Sequence, residues 1–121
     1  MILADADKSG RMLTMSFSQN VGVEEMKASV KRVKDLMAGM EPGFRMLTDL
    51  TNMESMDEAC APYLGEIMDL CKARGLKKVA RVIPDPRKDI GFVLISRFHY
   101  GPTVIWSTHE NLADAIQNLS T

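Results

Sequence analysis

The chain has 121 residues, a formal net charge of −1, and average apolar and charged fractions of 45% and 26%. That length suits one domain, 1–121, with one core, and so small a net charge attracts neither nucleic acid nor an anionic membrane surface. No apolar run is long enough to span a bilayer, and the opening MILADADKSG lacks the basic region and apolar core of a signal peptide, so a cytoplasmic protein is expected.

MILADAD and RMLTMSFS flank KSG, which reads as a hairpin turn. In the second segment Leu13, Met15 and Phe17 alternate with Met12, Thr14 and Ser16, the period of a strand with one drier face. From Val23 the period changes: Val23, Met26, Val30, Val33 and Met37 share one helical face, with Glu24 and Glu25 in the first turn. Lys27, Lys31, Arg32 and Lys34 read as the solvated side of that helix. Gly39 and the EPG at 41–43 stop it, and FRMLTDL, 44–50, follows as a short apolar strand.

Ser55 and Glu58 have capping-box spacing, but a helix starting there would hold Pro62 in its interior. TNMESMDEA is therefore expected to be a loop or a single turn. The helix is expected to begin near Cys60, with Cys60, Leu64, Ile67 and Cys71 facing the core and Gly75 and Leu76 closing its end. KKVARVI, 77–83, reads as a strand. Asp85 looks like an N-cap with Pro86 at the first helical position of a segment reaching His99. That segment has more apolar residues than one face needs. The spacing assigns Ile90, Leu94 and Phe98 to the core and leaves Phe92 and Ile95 for a dimer face or the gate of a ligand pocket. TVIWS, 103–107, reads as the last strand, Ser107 and Glu110 as a second capping box, and Leu112, Ile116 and Leu119 as the stripe of a final helix. The expected class is α/β: a mixed, largely parallel sheet of about five strands opened by a β-hairpin, with about four helices.

Chemistry is sparse. Asp49, Glu54, Asp57 and Glu58 crowd into ten residues, but their spacing fits no Ca²⁺ loop, and His99 and His109 belong to no zinc motif. There is no nucleophile elbow and no phosphate-binding glycine loop. Cys60 and Cys71 lie eleven residues apart in one helix, about 16 Å along its axis, too far for a disulfide. They read as buried free thiols, which suits a reducing compartment. The ten methionines read mainly as core fillers. A receiver domain would also place an Asp after a central strand, but TVIWSTHE lacks the Lys such a site needs, and the opening hairpin breaks the alternation.

The stretch from Leu47 to Leu64 resembles STAS domains, the class of anti-sigma-factor antagonists and sulfate-transporter tails. In those an apolar strand leads to Asp-Leu-Ser/Thr, a short loop, a second Asp, small residues and a helix. Here these are Asp49-Leu50-Thr51, the loop, Asp57, then Glu58-Ala59-Cys60. The pattern is most similar to stand-alone SpoIIAA-like proteins, whose fold is also compared with that of CRAL-TRIO lipid carriers. The resemblance implies a non-enzymatic binding or regulatory module without cofactor or metal. It would meet a protein partner through Asp49, Asn52, Glu54, Ser55, Asp57 and Glu58. The alternatives are a carrier or sensor of a small lipophilic ligand, with Phe92 and Ile95 as the ligand or homodimer surface, and an enzyme or metal-binding protein using the acidic loop. Switching antagonists carry a phosphorylated Ser or Thr after the second Asp. Glu58 and Ala59 stand there instead, so the phosphorylation switch does not carry over.

Overall fold

The computed structural model describes residues 1–7, 9 and 11–121. Among the described residues there are five strands, β1 (Ile2–Asp7), β2 (Met12–Val21), β3 (Arg45–Met56), β4 (Lys78–Val82) and β5 (Ile105–His109). The helices are α1 (Val23–Met37), α2 (Ala61–Ala73), α3 (Ile90–Tyr100) and α4 (Leu112–Leu119). The strands lie side by side in chain order, β1 antiparallel to β2 and every other pair parallel. This is the mixed, largely parallel α/β sheet expected from the alternation of periods. The opening hairpin is present, although Lys8 and Gly10 of the KSG turn lie outside the described residues.

Each parallel pair needs a crossover, and α1, α2 and α3 supply them. The three pack side by side on one sheet face over a core of Leu13, Met15, Phe17, Met46 and Val79. The other face carries α4, which buries Ala115 and Leu119 against Ala80 and Val82. The α1 stripe is as the period indicates: Met26, Val33 and Met37 are buried, with Val23 and Val30 packed against the core. Cys60, Leu64, Ile67 and Cys71 are likewise buried, and both thiols are free. Gly75, at φ 100°, turns the chain out of α2, and the Leu76 N–H closes the end on the Cys71 carbonyl at 3.0 Å.

Several local expectations are corrected. The expected loop at 51–59 is mostly strand, because β3 continues to Met56 and pairs with β2 as far as Val21. The polar Asn52, Glu54 and Ser55 are exposed there, whereas Met53 is buried in the core. The cap before α2 is Asp57, not Ser55: the Asp57 carboxylate accepts from the Ala59 N–H at 2.9 Å and starts a 3-10 turn at Glu58–Cys60. Asp85 caps as expected, but over a separate 3-10 turn, Pro86–Lys88, that precedes α3. The last strand lies two residues later than read, and Asn111 rather than Ser107 caps α4, accepting from the Asp114 N–H at 2.9 Å. In α4 the exposed Leu112 and Ile116 fall off the buried stripe of Ala115 and Leu119.

The largest correction concerns α3. Ile90, Leu94 and Phe98, assigned to the core, are 67%, 61% and 84% exposed. Phe92, Ser96 and Tyr100 are buried instead. The reason is Arg81 on β4, which is only 2% exposed. Its Nη1 donates to Ser96 Oγ at 2.9 Å, its Nε pairs with Asp89, and its guanidinium carbon lies 5.5 Å from the Phe92 ring centroid and 5.6 Å from that of Trp106. The face of α3 that meets the sheet is the one able to partner a cation.

Candidate functional site

A groove of about 380 Å³ opens where the C-terminal end of β3 meets the start of α2 and the start of α3. It lies outside the carboxyl ends of parallel strands, the usual place for a site in such sheets. The wall from β3 and the following turn supplies Met53, Glu54, Ser55, Met56, Asp57 and Glu58. The facing wall supplies Lys88, Gly91, Phe92 and Ile95, and α2 closes the base with Ala61 and Leu64. The base and far wall are thus largely apolar, and the near rim carries three carboxylates.

Local structure explains the placement. In β2 the register slips at two points, and Gln19 adopts φ 61°, a left-handed conformation for a non-glycine residue. The bulge still leaves Asn20 opposite Ser55, and the Ser55 Oγ donates to Asn20 Oδ1 at 2.6 Å. Across the groove, Lys88 Nζ donates to the Met53 carbonyl at 3.3 Å and ties the two walls together. Gly91 meets no heavy atom within 4 Å of where a Cβ would sit, so the wall is open at that point.

The expected site residues do not all meet. Glu54, Ser55, Asp57 and Glu58 line the groove, as do Phe92 and Ile95 from the other end of the chain. Sequence spacing had treated these as two separate surfaces. Asp49 lies elsewhere. The register sets it beside Val82, on the sheet face that packs against α4, and its Oδ1 accepts from the Thr51 N–H at 3.0 Å and the Thr51 hydroxyl at 2.5 Å. A residue period of two explains this, since strand positions alternate between faces. Asn52 is exposed but does not line the groove. Met53 and Met56 fall within the expected surface at 52–59, whereas Ala61, Leu64, Lys88 and Gly91 were missed. Their only sequence signal is proximity to the strand and helix ends that the fold converges.

The exposed stripe Ile90, Leu94 and Phe98 is on the same helix as the far wall. At the other end of α3, His99 Nδ1 lies 2.8 Å from Asp69 Oδ1 of α2. Gly65 makes that contact possible, because a Cβ there would sit 2.3 Å from His99 Nε2.

Among the described residues no group of three His, Cys, Asp or Glu side chains could hold a metal ion. No protein-family model and no curated protein matches the chain. Solved structures do. A DUF3478-family protein of Shewanella loihica PV-4 with a SpoIIAA-like fold superposes with a TM-score of 0.72 at 17% identity, over 98% of this chain and 92% of that one. The anti-sigma factor antagonist SpoIIAA in its unphosphorylated form gives 0.64 at 10% identity, over 99% and 98% of the two chains. An anti-sigma factor antagonist from Mycobacterium paratuberculosis gives 0.63 at 18% identity, over 100% and 94%. The chain therefore has the STAS, SpoIIAA-like fold.

Proposed function

We propose that this chain is a non-enzymatic regulatory binding module whose partner is another protein, held in the groove between the end of β3 and α3. The observation that carries the reading is the groove's composition: apolar base and far wall, a rim of Glu54, Asp57 and Glu58, and the exposed Ile90, Leu94 and Phe98 on the adjoining helix. Exposed apolar side chains of that size beside a concave apolar surface mark an interaction site. The fold supports a regulatory role, since solved chains that share it are anti-sigma factor antagonists.

Two details favour binding over catalysis. The hydroxyl in the groove, that of Ser55, donates to an amide oxygen, which is no base and cannot activate it. SpoIIAA is known in unphosphorylated and phosphorylated forms, whereas the positions that the STAS resemblance matches to the modified Ser or Thr are here Glu58 and Ala59, which offer a kinase no hydroxyl. A constant carboxylate at Glu58 would make recognition permanent rather than switched.

The test is photo-crosslinking in the source cells, with a benzophenone amino acid at Leu94 or Glu58 and a control at the exposed Gln117 of α4. A discrete crosslinked protein from the first two positions and none from the control is expected. Absence of any such adduct at both groove positions overturns the reading. A second reading is favoured by the volume, which falls within the range of small-molecule sites. Native mass spectrometry that finds a stoichiometric lipophilic molecule would replace the protein partner with a ligand.

A further inference from the structure

The flank of α2 away from α3 carries a second surface of opposite sign. α1 and α2 pack against each other and leave a trough between them. Two connected hollows of about 350 and 400 Å³ form it, sharing Lys34 and Leu70. Val30, Tyr63 and Leu70 are partly buried along its floor. Lys27, Lys31 and Lys34 line one wall, and Glu66 is the acid that lines it. At the far end the Arg74 guanidinium is committed to the Met40 and Ala38 carbonyls, at 3.1 and 2.8 Å.

Two of the three lysines are not matched from within the fold. Lys27 lies 3.5 Å from Glu24 and 5.5 Å from the Tyr63 ring centroid. Lys31 and Lys34 have no hydrogen-bond or ion-pair partner among the described residues. Like charges three and four residues apart on one helix oppose each other. The trough is therefore a largely apolar channel whose wall carries two unpaired positive charges, Lys31 and Lys34, with Glu66 among its lining residues.

We propose that this trough is a second docking surface and that it takes an acidic amphipathic helix of a protein partner. Apolar anchors of that helix would lie on Val30, Tyr63 and Leu70, and its Asp or Glu side chains would meet Lys31 and Lys34. Charge complementarity selects an acidic occupant, and shape selects a helix over a membrane. A bilayer needs protruding apolar side chains, and the large exposed ones, such as Leu3, Leu94 and Phe98, all lie outside α1 and α2. A helix laid in a groove reaches a recessed floor with anchors spaced by three and four residues. With the acidic groove on the other side of α2, the domain has two faces of opposite charge and can hold two partners at once. This surface stands on its own observations and does not depend on the groove.

The experiment titrates the ¹⁵N-labelled full chain with a synthetic helical peptide of Glu, Leu and Ala. Parallel titrations use the same peptide with Lys in place of Glu, and phosphatidylglycerol vesicles. The expected result is amide shifts confined to residues around Lys31, Lys34, Tyr63 and Leu70 for the acidic peptide only. The double variant Lys31→Glu, Lys34→Glu should weaken binding about tenfold, and added salt should weaken it further. Shifts outside the trough, equal binding of the basic peptide, or engagement of vesicles in place of the peptide overturns the assignment. Should the charge reversal lower the melting temperature, Lys31→Gln with Lys34→Gln is measured instead. An unchanged affinity in that variant also overturns it.

Discussion

Arg81 Nε lies 3.3 Å from Asp89 Oδ1, and this contact ties the start of α3 to the middle of the sheet. The alignment falls short of a hydrogen bond, and Arg81 Nη2 is buried without a partner among the described residues. Burial pulls the guanidinium below its usual pKa, and the nearby Asp89 opposes that. The charge is nevertheless retained, since a guanidinium does not lose its proton in any ordinary buffer.

Removing one side of this pair should cost more than removing both charges together. Asp89→Asn leaves a buried cation without its counter-charge, and about 2–3 kcal/mol of stability should be lost, toward the low end for a buried pair because Asp89 is partly wetted. The double variant Arg81→Met, Asp89→Asn keeps the volume of the stem and removes both charges, so its loss should be smaller. Urea denaturation of the two variants decides. Equal or reversed losses would show that the guanidinium, not its pairing, anchors α3.

The thiols set a limit at high pH. Burial pushes Cys71 up from 9.0 to about 12, and it raises Cys60 and Tyr100 as well. The unfolded chain therefore releases these protons at lower pH than the native one does. The stability that the protonated thiols contribute is complete below about pH 9 and is lost progressively as pH rises toward 12. Chemical denaturation across that window should show a falling midpoint, with a shallower fall in Cys71→Ala. A midpoint independent of pH there, or fast thiol labelling of the folded protein at neutral pH, contradicts the burial.

Asp57 combines two roles that substitution can separate. Its carboxylate caps the 3-10 turn before α2 and also stands on the groove rim. Asn caps about as well as Asp, so Asp57→Asn should leave the melting temperature nearly unchanged while removing one rim charge. Asp57→Ala should cost about 1 kcal/mol, a shift of a few degrees. Crosslinking from Leu94 should drop in Asp57→Asn if the rim charge helps to recruit the partner. Undiminished crosslinking would confine Asp57 to the structural role.

Legibility in the sequence followed the source of the signal. β2 and α1 were readable because their buried residues are apolar and regular: Leu13, Met15 and Phe17 at a period of two, Met26, Val33 and Met37 along one helical face. The end of β3 was not, because the segment from Asn52 to Met56 pairs with β2 through a slipped register and is mostly polar and exposed. Half of the site followed from the acidic run alone. Its meeting with Phe92 and Ile95 did not, because that contact joins positions more than thirty residues apart through the strand order. Asp49 was misplaced since strand alternation, invisible to a cluster of like residues, sends it to the opposite face.

The α3 helix gives the sharpest test of how a cation reverses an apolar pattern. By hydrophobicity alone, Ile90, Leu94 and Phe98 outrank a stripe containing Ser96, yet Ser96 is fully buried and the three apolar side chains face solvent. Ser96 Oγ accepts from Arg81, and Phe92 lies over the same guanidinium, so turning the helix to bury Leu94 would strand a charge in the core. The single variants Leu94→Ser and Phe98→Ser should therefore change stability by no more than about 0.5 kcal/mol, as exposed positions do. Phe92→Ala should cost about 3 kcal/mol through the cavity it leaves and the contact it removes from Arg81. Urea midpoints at constant slope measure all three. A loss in Leu94→Ser as large as that in Phe92→Ala would mean that α3 packs on the sheet by its other face. The groove wall formed by Phe92 and Ile95 would then be lost with it.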